Sequence, residues 1–197
     1  YRAVLITKEE DFILSRYIDR KYSLKIGNTE YGSGVLECTI QNQKLHLFNY
    51  TDKITKKTYF IIESYEKTDY ENFSSILDEI VLGITYLTGT FLGSDIYILG
   101  SSKNDFKESS VLSLKSFFDE LKNGYMAIPN IMTQLELNVP VIVFGEDIFS
   151  KFINELCRSL TYKRTILLLC QAHTEPHYIK SALYSVALET ITNEISP

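Results

Sequence analysis

The sequence predicts an α+β fold: an antiparallel β-meander sheet covered by one long amphipathic helix, followed by a C-terminal helical segment. Three observations predict it. Short runs of alternating apolar and polar residues fill the front half. Between Tyr70 and Thr88 the apolar period changes from 2 to 3.6. Beyond Gly145 every segment reads as helix.

The meander is built from strands separated by turn residues. Phe12 to Ile18 and Tyr22 to Ile26 read as short strands, and Gly27-Asn28 and Gly32-Ser33-Gly34 as turns. The clearest alternation is in Val35 to Ile40, where Leu36, Cys38 and Ile40 share one face and Glu37 and Thr39 the other. Across the Gln41-Asn42-Gln43 turn, Lys44 to Tyr50 puts Leu45 and Leu47 on one face and His46, Phe48 and Tyr50 on the other. Thr58 to Glu63 is the next strand. Connections this short join antiparallel neighbours.

Asp69 is a candidate N-cap for the central helix. At 100° per residue, Phe73, Ile76, Leu77, Ile80, Val81, Ile84 and Leu87 fall on one arc, with Glu71, Ser75, Asp78 and Thr85 opposite. Gly89 and Gly93 end it, and Asp95 to Leu99 reads as another strand. Residues 101–110 are polar and read as a loop. Segment 111–139 is ambiguous: Ser116 to Lys122 has the pattern of a short helix, and Val141 to Phe144 that of a strand.

In the tail, Phe149, Phe152, Ile153, Leu156, Cys157 and Leu160 form one stripe. Lys163 to His173 is apolar nearly all round at its middle, as in a buried helix. Thr174 is the expected N-cap of the last helix, with Pro176 in its first turn. In that helix the apolar residues from Ile179 to Ile195 span roughly 200°, where a surface helix needs about 100°. Tyr184, Leu188, Ile191 and Ile195 therefore form a candidate interaction face. The expected cover is further sequence after Pro197 or a second subunit. The resulting division is a β-rich α+β domain over 1–144 and a helical segment over 145–197 that begins a larger helical domain.

Composition narrows the function. The 197 residues carry 20 Lys+Arg against 25 Asp+Glu, a net charge of −5. That balance argues against a general nucleic-acid binder and against polybasic membrane docking, leaving room only for a local patch. The longest uncharged stretch, Ile80 to Ser94, is 15 residues, below the roughly 18 that a membrane span needs. Cys38, Cys157 and Cys170 are odd in number and lack C-x-x-C spacing, which points to free thiols in a reducing, cytosolic compartment.

Most catalytic motifs fail on inspection. Gly32-Ser33-Gly34 starts like a dinucleotide fingerprint, but Glu37 stands at the third glycine position and a strand follows where a helix is required. Gly100-Ser101-Ser102-Lys103 lacks the P-loop's Gly before Lys and its hydroxyl after it. No G-x-S-x-G is present. The pairs Asp78-Glu79 and Glu146-Asp147 diverge by 100° on their helices and cannot flank one bond. His173-Thr174-Glu175-Pro176-His177 puts two imidazoles at i, i+4, but Pro176 places the stretch at a helix junction, and no P-C-x-x-C follows the H-x-E element. His173, His177 and Arg164 remain as a candidate polar cluster. No metal or cofactor is expected. Lys53, Lys56 and Lys57 make a small basic turn able to touch phosphate.

The order of the tail resembles the first helices of HEPN-type domains: the Phe149/Phe152/Ile153/Leu156 stripe, the run Ile166 to Cys170, then the helix ending Ala187-Leu188-Glu189-Thr190-Ile191. It is most similar to those preceded by a β-rich domain in bacterial defence-like proteins. The resemblance covers about a quarter of the chain. It implies a helical domain that in some members is a metal-independent ribonuclease with an Arg and a His separated by four to six intervening residues. Eight residues separate Arg164 from His173 here, and no other Arg-His pair fits, so no site residue carries over. The expected function is a recognition or regulatory region without its own catalytic site. The alternative is an RNA-acting enzyme whose catalytic motif lies outside these residues.

Overall fold

The computed structural model describes residues 1–6, 21–26, 29–64, 66–92, 95–102, 106, 108–116, 127, 131–138 and 145–195. Among them are seven strands in one sheet: β1 (Arg2–Ile6), β2 (Lys21–Ile26), β3 (Thr29–Ile40), β4 (Gln43–Thr51), β5 (Thr58–Ser64), β6 (Asp95–Gly100) and β7 (Ser110–Ser116). The helices are α1 (Tyr70–Thr88), α2 (Ile131–Glu136), α3 (Glu146–Arg158), α4 (Leu160–Thr174) and α5 (His177–Ile195). The expected strands Phe12 to Ile18 and Val141 to Phe144, and the expected helix beyond Ser116, lie outside the described residues.

The sheet order is β2-β3-β4-β5-β1-β6-β7, and every neighbouring pair is antiparallel. The meander β2 to β5 is as the alternation predicts except at Gly32-Ser33-Gly34, expected as a turn but lying within β3, where Gly32 pairs with Ser23 beside a register shift. The strand that alternation does not mark is β1, which sits at the centre between β5 and β6. Its Ala-Val-Leu-Ile run is apolar on both faces, with Ala3 and Leu5 buried in the core and Val4 and Ile6 on the second face, where Ile6 is 44% exposed. Ser110–Ser116, where the expected loop ends and the ambiguous segment 111–139 begins, is a strand at the sheet edge, and it is tied to α1. Lys115 Nζ reaches Asp78 Oδ2 at 2.6 Å, and Tyr70 Oη lies 2.6 Å from Ser113 Oγ.

One face of the sheet forms the core. Ala3, Leu5, Leu36, Cys38, Ile40, Leu45, Leu47, Phe60, Ile62, Ile96 and Ile98 are buried there beneath α1. The helix is capped by Asp69, which accepts from Asn72 N–H at 2.7 Å, and it stops at Gly89, whose φ of 70° suits glycine. The structure differs from the one-sided helix of the sequence pattern. Glu71 and Ser75 are exposed, but Glu79 and Thr85 are buried because α3 and α4 pack on the far side of α1. Thr85 Oγ1 is satisfied by Val81 C=O at 2.8 Å. Gly83 lets α3 come close: a Cβ there would collide with Ile153 Cδ1.

The tail departs from the pattern at two junctions. Leu160 does not continue the α3 stripe. Ser159 is extended between the two helices and caps α4 by accepting from Tyr162 N–H at 3.2 Å, and Leu160 is exposed at the start of α4. Thr174 is the last residue of α4, its hydroxyl donating to Gln171 C=O, and it is not an N-cap. Pro176 opens the next helix instead, its carbonyl accepting from Lys180 N–H at 2.9 Å. A proline cannot extend α4, so the chain breaks there whatever side chain precedes it.

Candidate functional site

The second face of the sheet carries two features side by side. The first is a row of polar residues running across four strands in register: Glu37, His46, Glu63 and Arg2. Glu37 Oε2 meets His46 Nε2 at 3.1 Å and Lys44 Nζ at 3.0 Å. Glu63, fully buried, meets Arg2 Nε at 2.6 Å, and the guanidinium lies 4.1 Å over the Phe106 ring. Burial lowers the His46 pKa below its ordinary 6.5, against the pull of the bond to Glu37. The row is an internally compensated set of charges, holding the middle of the sheet together.

The second feature is a cleft of about 460 Å³ beside that row. Phe48, Tyr50 and Tyr59 supply three rings, and Val4, Ile61 and Leu99 an aliphatic floor. Arg2 and Asp52 stand at its two ends. Strand alternation builds it: Phe48 pairs with Ile61, Tyr50 with Tyr59 and Ile61 with Val4, so all project to the same face. Tyr50 is 54% exposed and Ile61 only 6%, so the cleft has a closed floor and an open rim. The size falls within the range of small-molecule sites.

At its rim lies the β4–β5 turn. Asp52 N–H donates to Lys57 C=O at 2.9 Å, and Lys56 N–H donates to Asp52 C=O at 2.9 Å. Asp52 Oδ1 accepts from Ile54 N–H at 2.7 Å and from Thr55 N–H at 3.3 Å. Those two backbone bonds hold the Asp52 carboxyl below its usual pKa, so it stays ionised.

The residues singled out from sequence lie elsewhere. Arg164 and His173 are both on α4, nine residues apart, which is about 13.5 Å along the axis. His177 begins α5. All three are exposed, and no ion pair or side-chain hydrogen bond joins them. On α5, Leu188 is 67% exposed, while Tyr184 and Ile191 are half-buried; the side chain of Ile195 lies outside the described residues. Ile191 lines a second, apolar cavity of about 400 Å³ with Tyr86, Phe152, Tyr162 and Ile166.

Sequence reading placed His46, Phe48 and Tyr50 on one face, but it did not single out the cleft. Tyr59, Ile61, Val4 and Leu99 join them only through pairing of β5, β1 and β6. The available signal was aromatic residues on both faces of one strand. The thiols show no activation: burial pushes Cys157 up to about 11 and Cys170 up to about 12, and raises Cys38 further. Among the described residues no group of three or more His, Cys, Asp or Glu is placed to hold a metal ion. No helix among them is long and apolar enough to cross a membrane. No protein-family model, curated protein or solved structure matches the chain.

Proposed function

We propose that this chain is a recognition region and that it binds through the cleft on the second face of its sheet. The observation that carries the reading is the ring-lined cavity of Phe48, Tyr50 and Tyr59 over Val4, Ile61 and Leu99. A sheet that leaves one face to water normally alternates apolar-in with polar-out. Here the outward positions of β4 and β5 nearest their turn, Phe48, Tyr50, Tyr59 and Ile61, are aromatic or aliphatic, with Arg2 and Asp52 as the polar groups lining the cleft, which suits binding better than bond-breaking.

The helical tail belongs to the same reading. The order of α3, α4 and α5 resembles HEPN-type domains, and outward-facing Val186 and Leu188 on α5 offer a surface for a second subunit or for further sequence. A cytosolic setting goes with it, supported by three free cysteines.

The test is a ligand screen followed by amide chemical shifts. Binding small aromatic fragments is expected to move the amide signals of Val4, Phe48, Tyr59, Ile61 and Leu99 together. Shifts confined to Tyr86, Phe152, Tyr162 and Ile191 would move the binding surface to the helical cavity and overturn the reading.

A further inference from the structure

Building on the cleft as the binding surface, we infer that its ligand is a nucleotide, whose base stacks on Tyr50 and Tyr59 and whose phosphate meets the lysines of the β4–β5 turn. The two tyrosines are direct cross-strand partners, and the turn begins two residues beyond each. Lys53, Lys56 and Lys57 are exposed, and none forms an ion pair with a described residue. Residues 50–59 contain three lysines and one aspartate, a local charge of +2 on a chain whose net charge is −5. This turn is thus a positive spot on an acidic molecule, placed at the mouth of an aromatic cleft.

Two chemistries fit rings of this kind. Three rings with one carboxylate also suit an alkylated ammonium, held by cation–π attraction. The three lysines decide against it, because they repel a cation at Asp52, the one acidic group among the described residues that line the cleft. They favour the combination used for exposed nucleotides, a ring platform with a cationic edge. Asp52 then has a role in choosing the base. Its Oδ1 is occupied by Ile54 and Thr55 N–H, and its other oxygen can accept from an amino group on the base edge.

A free nucleotide and an unpaired nucleotide within a strand share this chemistry, and titration separates them. The 197-residue chain is titrated with AMP, GMP and UMP, and with a fluorescein-labelled single-stranded RNA decamer, at low and at physiological salt. Saturable binding is expected for at least one of these, weakened about tenfold or more by Tyr50→Ser or Tyr59→Ser. The K53Q/K56N/K57Q variant is expected to flatten the salt dependence. Asp52→Asn is expected to narrow the difference between amino-bearing bases and uracil. Binding of RNA without any mononucleotide assigns the site to strands, and the reverse to free nucleotides. No saturable binding to any of them, binding unchanged in both tyrosine variants, or capture only by phosphatidylserine vesicles would overturn the inference. Aromatic fragments that still shift Phe48, Tyr59 and Ile61 in that case leave the recognition reading standing with a different ligand.

Discussion

The side-chain amide of Asn154 on α3 completes the edge of β3 as an added peptide group would: its Oδ1 accepts from Gln41 N–H at 2.8 Å and its Nδ2 donates to Thr39 C=O at 2.9 Å. Two more residues on the same helix face continue the pattern. Ser150 Oγ accepts from Thr39 N–H at 3.2 Å, and Glu146 Oε1 from Glu37 N–H at 3.1 Å. The periods match: four helical residues advance about 6 Å, and two strand residues about 6.8 Å. A strand edge that would otherwise present bare backbone donors is thereby closed by side chains.

Asn154→Ala is expected to cost about 1–3 kcal/mol, through the loss of its two hydrogen bonds to β3 and of the one its Nδ2 donates to Ser150 C=O, at a half-exposed site. Denaturant unfolding measures the total. Native-state amide exchange locates it, with Gln41 losing protection and the β4–β5 amides keeping theirs.

Gly83→Ala adds a methyl group against Ile153 Cδ1, in a core where Ile153 is fully buried. Overpacking costs roughly 1–3 kcal/mol, and the gain in helix propensity returns about 1. The expected net effect is destabilisation by about 1 kcal/mol. In an Ile153→Val background the obstructing carbon is gone, so the same substitution is expected to be neutral or stabilising. A double-mutant cycle that shows additivity refutes the contact.

Glu79 is buried between α1 and α4 and is bonded by Lys163, while its Oε2 has no partner. Burial raises its pKa above 4.5, with Lys163 opposing. A carboxyl with a raised folded pKa favours the folded state fully below 4.5 and loses that contribution as pH rises through the folded value. Lys163→Met is therefore expected to destabilise most at neutral pH. The size is about 2–3 kcal/mol, below the range for fully buried pairs because Lys163 is one-third exposed. Adding Glu79→Gln should restore most of it, as read by thermal unfolding at pH about 4 and 7.

His46 faces Glu37, Lys44 and Glu63 and has a lowered pKa. The unfolded chain binds its proton more readily, so the contribution of His46 to stability is present above 6.5 and is lost as pH falls toward the folded value. Wild-type stability is expected to fall on acidification below about pH 6.5, by at most about 1.4 kcal/mol per pH unit for this one proton. Comparing wild type with His46→Gln by urea unfolding at several pH values isolates the term; parallel profiles would remove His46 as its source.

Where local pattern and environment agree, the chain could be read directly. Leu36, Cys38 and Ile40 face the core as their alternation requires, and Asp69 and Gly89 bound α1. The misread stripe end at Leu160 and the misread cap at Thr174 fail for local reasons. Ser159 interrupts a stripe that hydrophobicity alone carries through to Leu160, and Pro176 outranks Thr174 as a break. Arg2–Ile6 shows no sequence alternation because both of its faces carry apolar side chains, although only Ala3 and Leu5 are buried, and Ser110–Ser116 has too few apolar residues on one side to betray a strand.

The sequence by itself determined the α+β class, the meander, the central helix and the three-helix tail, because each is set by side-chain period over neighbouring residues. Only tertiary structure decided that β1 lies at the sheet centre, that α3 seals β3 through Glu146, Ser150 and Asn154, and that Tyr50 and Tyr59 meet Val4, Ile61 and Leu99 in one cleft. Those relations join residues dozens of positions apart, through strand order and helix docking. Periodicity is local, and it carries no information about which distant partner a face will find.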